Sequence, residues 1–152
     1  MTSRPSLEHR LKRPPDIYVD KEMITLLGKA DRFEGACMDI GAEKTVVGKR
    51  QAEAYIASHD PGATLGNKNG MVYRFGGGRH PCIGTVALRI PITDSFMISI
   101  VIDVVALNVP LLLGLDFLDA HNMYVNNTTN RLVCVNEGIQ VPLVRKMGHI
   151  FF

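Results

Sequence analysis

Asp39-Ile40-Gly41-Ala42-Glu43-Lys44-Thr45-Val46-Val47-Gly48 and, far downstream, Leu112-Leu113-Gly114-Leu115-Asp116-Phe117-Leu118 are the stretches whose reading decides the fold. In the first, a short apolar run from Arg32 ends on the carboxylate of Asp39. Gly41 is expected to permit a sharp turn there, and Thr45-Val46-Val47 resumes a β-branched strand signal. In the second, the apolar run after Pro110 breaks at Gly114 and passes into a helix-like segment, Leu115 to His121, closed by Asn122.

The sequence between and beyond them is mostly β. After Gly48, Lys49 to Ala57 carries Ala52, Tyr55 and Ile56 on one face of a short helix, which Ser58-His59-Asp60-Pro61-Gly62 ends. Met71 to Phe75 leads into Gly76-Gly77-Gly78, and a second run starts near Cys82. Val86, Leu88, Ile90 and Ile92 then alternate with Thr85 and Arg89. Phe96, Ile98, Ile100, Ile102 and Val104 likewise alternate with Ser99 and Asp103. Period two over such lengths points to antiparallel strands with one buried face. Tyr124-Val125 and Arg131 to Val135, joined by an Asn/Thr turn, read as a closing hairpin. The expected class is all-β, mainly antiparallel, a small barrel or sandwich with one or two short helices. Its expected divisions are an N-terminal arm or linker (1–31), the folded domain (32–135) and a C-terminal extension (136–152).

Composition narrows the function. A chain of 152 residues, 46% apolar and 21% charged, suits one globular domain with one core. The net charge is +2, and Arg4, Arg10, Lys12 and Arg13 against Glu8 put +3 in the first fourteen residues. The rest sums to −1, so no direct nucleic-acid binding is expected. The longest apolar region, Phe96 to Leu115, is broken by Ser99, Asp103, Asn108 and Pro110, which disfavours a membrane partner. Met1 to Pro15 has no apolar core of a secretory signal, and Cys37, Cys82 and Cys134 form neither a metal-finger spacing nor a disulfide framework. An intracellular, cytoplasmic location is the expectation. The two Asn-x-Thr patterns at Asn126 and Asn127 then read as a turn. His9, His59, His80, His121 and His149 are scattered, so no metal site and no cofactor are expected.

The order of the Asp-Ile-Gly-Ala loop, the short helix, the glycine-rich hairpin, the alternating strands and Leu-Leu-Gly-Leu-Asp resembles the retropepsins. These are the single-lobed aspartic proteases of retroviruses and LTR retrotransposons, and the resemblance covers roughly residues 32 to 135. Lys44-Thr45-Val46-Val47-Gly48, Gln51-Ala52-Glu53-Ala54-Tyr55 and the tail Val141 to Lys146 look most like the gag-pol polyproteins of retrotransposons. The resemblance implies an aspartic endopeptidase, with Asp39 as its catalytic carboxylate. Ile40, Gly41 and Ala42 would complete the active-site loop, with Gly76, Gly77 and Gly78 as the flap. Leu112, Leu113 and Gly114 would form the structural Leu-Leu-Gly motif. It further implies a peptide or polyprotein substrate.

Aspartic proteases work with two carboxylates about 3 Å apart that share one proton, because both cannot ionise so close together. The ionised member takes a proton from water as it attacks the peptide carbonyl, and the protonated member polarises that carbonyl. This chain supplies one such loop. A homodimer, with Asp39 of each copy on the twofold axis, is the economical way to make the pair. Ile40 departs from the family pattern, which places Thr or Ser there to hydrogen-bond across the axis. The alternative reading follows from that departure: a catalytically degenerate, retrotransposon-derived domain that serves as a binding or dimerisation module. A third reading is a small ligand-binding β-barrel unrelated to proteases.

Overall fold

The computed structural model of the chain describes residues 16–17, 27–75, 78–146 and 148–152. In chain order its strands are β1 (Asp16–Ile17), β2 (Ala36–Met38), β3 (Val46–Gly48), β4 (Val72–Phe75), β5 (Gly78–Thr93) and β6 (Phe96–Val105), followed by β7 (Leu111–Leu113), β8 (Met123–Asn126), β9 (Arg131–Cys134), β10 (Ile139–Pro142), β11 (Val144–Lys146) and β12 (His149–Phe151). The helices are α1 (Lys49–His59) and α2 (Leu115–Ala120). One mixed sheet runs β1-β4-β5-β6-β3-β7-β2-β12-β11, and β10-β9-β8 form a second, antiparallel sheet.

The long strands form where the alternation places them. Val86, Leu88, Ile90 and Ile92 are buried, and so are Ile98, Ile102 and Val104. The two strands pair antiparallel from Cys82↔Val105 to Thr93↔Phe96, with register shifts at Cys82/Gly84 and Pro91/Thr93. Helix α1 buries Gln51, Ala52 and Tyr55, and the Asp60 amide closes its last turn on the Ile56 carbonyl. The closing hairpin is β8–β9, with Val125 opposite Leu132.

The short central strands follow a different rule. Ala36 and Met38 pack into one apolar cluster while Cys37 packs into another; Leu111 and Leu113 divide from Leu112 in the same way. A strand covered on both faces reads as an unbroken apolar run, as Leu111-Leu112-Leu113 does. Complete burial of each leucine contributes about 1.5–3 kcal/mol, so burial fixes this strand more firmly than its three-residue ladder.

β2 runs parallel to β7 (Cys37↔Leu112), and β3 runs antiparallel to β7 (Val46↔Leu112) and parallel to β6 (Val47↔Val104). β7 is thus inserted between two strands that follow one another in sequence. The connection 39–45 must cross over the end of β7, and that crossing positions the site.

The termini contribute strands as well. Asp16–Ile17, within the expected N-terminal arm, pair in parallel with Arg74–Phe75; residues 1–15 and 18–26 lie outside the described residues. Residues 139–142, 144–146 and 149–151, within the expected C-terminal extension, form β10, β11 and β12. Phe151 of β12 pairs with Cys37 and is 1% exposed. No helix among the described residues is long and apolar enough to cross a membrane.

Candidate active site

Asp39 stands at the end of β2, where its amide donates to the Leu113 carbonyl at 2.9 Å and so extends the β2–β7 pairing by one residue. The Ala42 amide then donates to the Asp39 carbonyl at 3.1 Å and closes the turn. Gly41 is not among the residues with positive φ, so the turn does not need its conformational freedom, contrary to the expectation from sequence. A side-chain carbon at Gly41 would lie 3.5 Å from Asp39 Oδ1. Glycine here leaves that side of the carboxyl uncovered.

Behind the turn, the crossing is locked by Thr45, Gly114 and Asp116. The Thr45 hydroxyl donates to Asp116 Oδ1 at 2.7 Å and accepts the Gly114 amide at 3.0 Å. The Thr45 amide donates to Asp116 Oδ2 at 3.0 Å, and the Phe117 amide donates to Oδ1 at 2.8 Å. The Leu115 amide reaches the Ala42 carbonyl at 2.8 Å. Gly114 is required sterically, because a Cβ there would lie 2.8 Å from the Ala42 and Lys44 carbonyl oxygens. The Leu-Leu-Gly motif and the Asp39 loop are therefore one assembly, joined through backbone that tolerates no side chain.

The Asp39 carboxyl is held above the usual aspartate range, chiefly because burial disfavours its charge; amide hydrogen bonds from Gly41 and Ala42 and the positive charge of His149 oppose this. Such a carboxyl retains its proton more readily than an exposed one. Ile40, in the turn, is 47% exposed, and Leu115, whose amide reaches Ala42, is 37% exposed. The apolar tip faces outward.

Asp103 and Asp60 are engaged elsewhere. Asp103 accepts the Tyr73 hydroxyl at 2.5 Å and the Asn69 amide at 2.7 Å, which ties β4 to β6. Asp60 is buried at the end of α1 and accepts the Arg89 amide and guanidinium at 3.2 and 3.3 Å, so it anchors β5 as well as forming a turn. Of the flap glycines, Gly76 and Gly77 lie outside the described residues. Gly78 opens β5 opposite Phe75 in the β4–β5 hairpin.

Sequence reasoning missed Thr45 and His149. Thr45 reads as strand propensity, and only its contact with Asp116, seventy-one residues away, reveals its role. His149 sits far from Asp39 in sequence, and no spacing rule links them. The three cysteines are buried and not disulfide-bonded.

No protein-family model and no curated protein matches the sequence. Among solved structures, the retroviral protease-like domain of Ddi1 from Leishmania major is similar, with a TM-score of 0.55 and 24% identity over 74% of this chain and 85% of that one. The inserted β7, the loop crossing over Gly114 and the β4–β5 hairpin thus belong to a retropepsin-like, single-lobed fold.

Proposed function

We propose that the chain is an aspartic endopeptidase of retroviral type, active as a homodimer in which two Asp39 carboxylates activate water between them. The observation that carries this reading is the Asp39 corner itself. A carboxyl with a raised pKa stands at a rigid strand end, while Asp60, Asp103 and Asp116 are each taken up by other partners. One copy brings one such group to the site, and a second copy supplies its twin. The β4–β5 hairpin, where the sequence runs Gly76-Gly77-Gly78, is assigned as the flap over an extended peptide. That peptide would bind by strand-like hydrogen bonding. Its origin in an LTR-retrotransposon gag-pol polyprotein, and polyprotein processing as the reaction, belong to the same proposal, as do the division at 32–135 and a cytoplasmic location.

The exposed Ile40 favours a second reading, in which the fold persists as a dimerisation module without cleavage. A mixed peptide library incubated with the purified protein from pH 4 to 7 separates the two. Cleavage blocked by a statine-type transition-state mimic, with activity per chain falling on dilution, is the expected result. A dimer that cleaves nothing would establish the module. Undiminished activity from a species that sediments as a monomer would overturn the shared site.

A further inference from the structure

β12 is the strand that covers the outer edge of β2, and its register sets a specific residue beside the site. Phe151 pairs with Cys37, and the Ala36–Phe152 pair exchanges both backbone hydrogen bonds, Ala36 N–H to Phe152 O at 3.4 Å and Phe152 N–H to Ala36 O at 2.8 Å. Asp39 lies two residues beyond Cys37 and His149 two residues before Phe151, so both stand at the same end of the β2–β12 pair, and strand alternation would set them on the face that carries Cys37 and Phe151. Gly148, at φ 78°, turns the chain into β12 so that His149 is its first residue. His149 is half-buried, and it is the one charged side chain among the groups that act on the Asp39 carboxyl.

We propose that His149 is a positioning residue for Asp39, presenting an imidazolium to the carboxylate from the C-terminal strand and so setting the acid limit of the site. This rests on the reading of Asp39 as the reacting carboxylate. An imidazole is ordinarily charged at the acid pH where carboxyls ionise, so the attraction operates in the range where a shared proton must first be released. In the dimer, each copy's His149 offsets charge on its own Asp39, and the pair keeps one ionised member at lower pH than burial alone would allow.

The charged groups on the flanking elements are Glu34, Glu43, Lys44, Asp116, Arg145 and Lys146. The Lys146 ammonium donates to the Glu34 carbonyl at 2.9 Å and lies over the Phe151 ring. Arg145 donates to Asn130 at 3.0 Å, and the Glu34 carboxylate accepts from Arg32 at 2.9 Å. Asp116 is held by Thr45, and Glu43 and Lys44 are exposed on the loop after Ala42. His149 is thus the cation whose charge acts on the Asp39 carboxyl.

Carboxyl-carbon NMR of the selectively labelled full chain, titrated from pH 2 to 8, tests this without relying on cleavage. His149→Gln should move the Asp39 midpoint upward, and His149→Lys, which keeps a cation, should return it toward wild type. The acid limb of the cleavage profile should move to higher pH in His149→Gln by the same amount. An Asp39 midpoint unchanged in His149→Gln would overturn the proposal. So would equal shifts in the glutamine and lysine variants, since packing rather than charge would then be responsible. A midpoint that responds to charge in a protein that cleaves nothing would uphold the His149–Asp39 coupling and reject the protease reading instead.

Discussion

Two aspartates stand at opposite sides of one chain crossing, and they are treated in opposite ways. Asp116 has its oxygens filled by the Thr45 amide, the Thr45 hydroxyl and the Phe117 amide. Asp39 is half-buried, its carboxyl pushed up by desolvation, with a glycine rather than a side chain against Oδ1. A carboxylate saturated with internal donors is committed to structure, because releasing it leaves several buried groups unpaired. One that is desolvated and takes the Gly41 and Ala42 amides, with no side chain on its Gly41 side, keeps acceptor capacity there. The fold spends one aspartate to hold the other in place.

The contrast breaks most sharply at Asp39. Asp39→Asn keeps the shape but cannot ionise, and cleavage is expected to fall about a thousandfold or more while the fold survives. The same variant carries a stability signature of definite sign. Burial raises the folded-state pKa of Asp39, so its contribution to stability is fully present below the unfolded-state pKa and is lost as pH rises through the folded-state value. Asp39→Asn should therefore melt above wild type at neutral pH, with the gain vanishing below the ordinary aspartate range. Scanning calorimetry across pH checks this, and an asparagine variant less stable at pH 7 would contradict the burial argument.

Asp116→Ala should do the reverse. Loss of the acceptor for Thr45 and Phe117 is expected to cost about 2–4 kcal/mol in urea-unfolding experiments, with cleavage per folded dimer affected far less. An Asp116 variant of full stability but no activity would move the chemistry to that residue and dissolve the distinction.

Ile40→Thr sharpens the comparison at the tip of the loop. A hydroxyl there could hydrogen-bond across the twofold axis, each bond contributing about 0.5–1.5 kcal/mol to the dimer. Sedimentation at matched concentration should show tighter association, with higher proteolysis if the domain is an enzyme. Weaker association would mean that this interface uses the apolar contact of Ile40 instead.

How much of this was legible beforehand depended on the range of the interaction. The strands at 78–93 and 96–105, and both helices, followed from periodicities of two and 3.6 because each face meets one environment. Asp39 and Gly114 were legible as members of a motif pair. The need for glycine at 114 was not, since it arises from backbone crossing backbone. At Gly41 the sequence pointed to the wrong cause, a turn requiring glycine's freedom, where the structure shows an uncovered carboxyl oxygen.

The sequence by itself determined the β class, the alternating buried faces and the two short helices. These depend on local composition and on side chains that partition between water and core. Only the tertiary structure decided that β7 lies between β2 and β3, that Thr45 and Asp116 lock the crossing, and that β12 covers the edge of β2. Each of these is a pairing between segments distant along the chain. Strand order and register are chosen by mutual burial and backbone hydrogen bonding, which no single segment records.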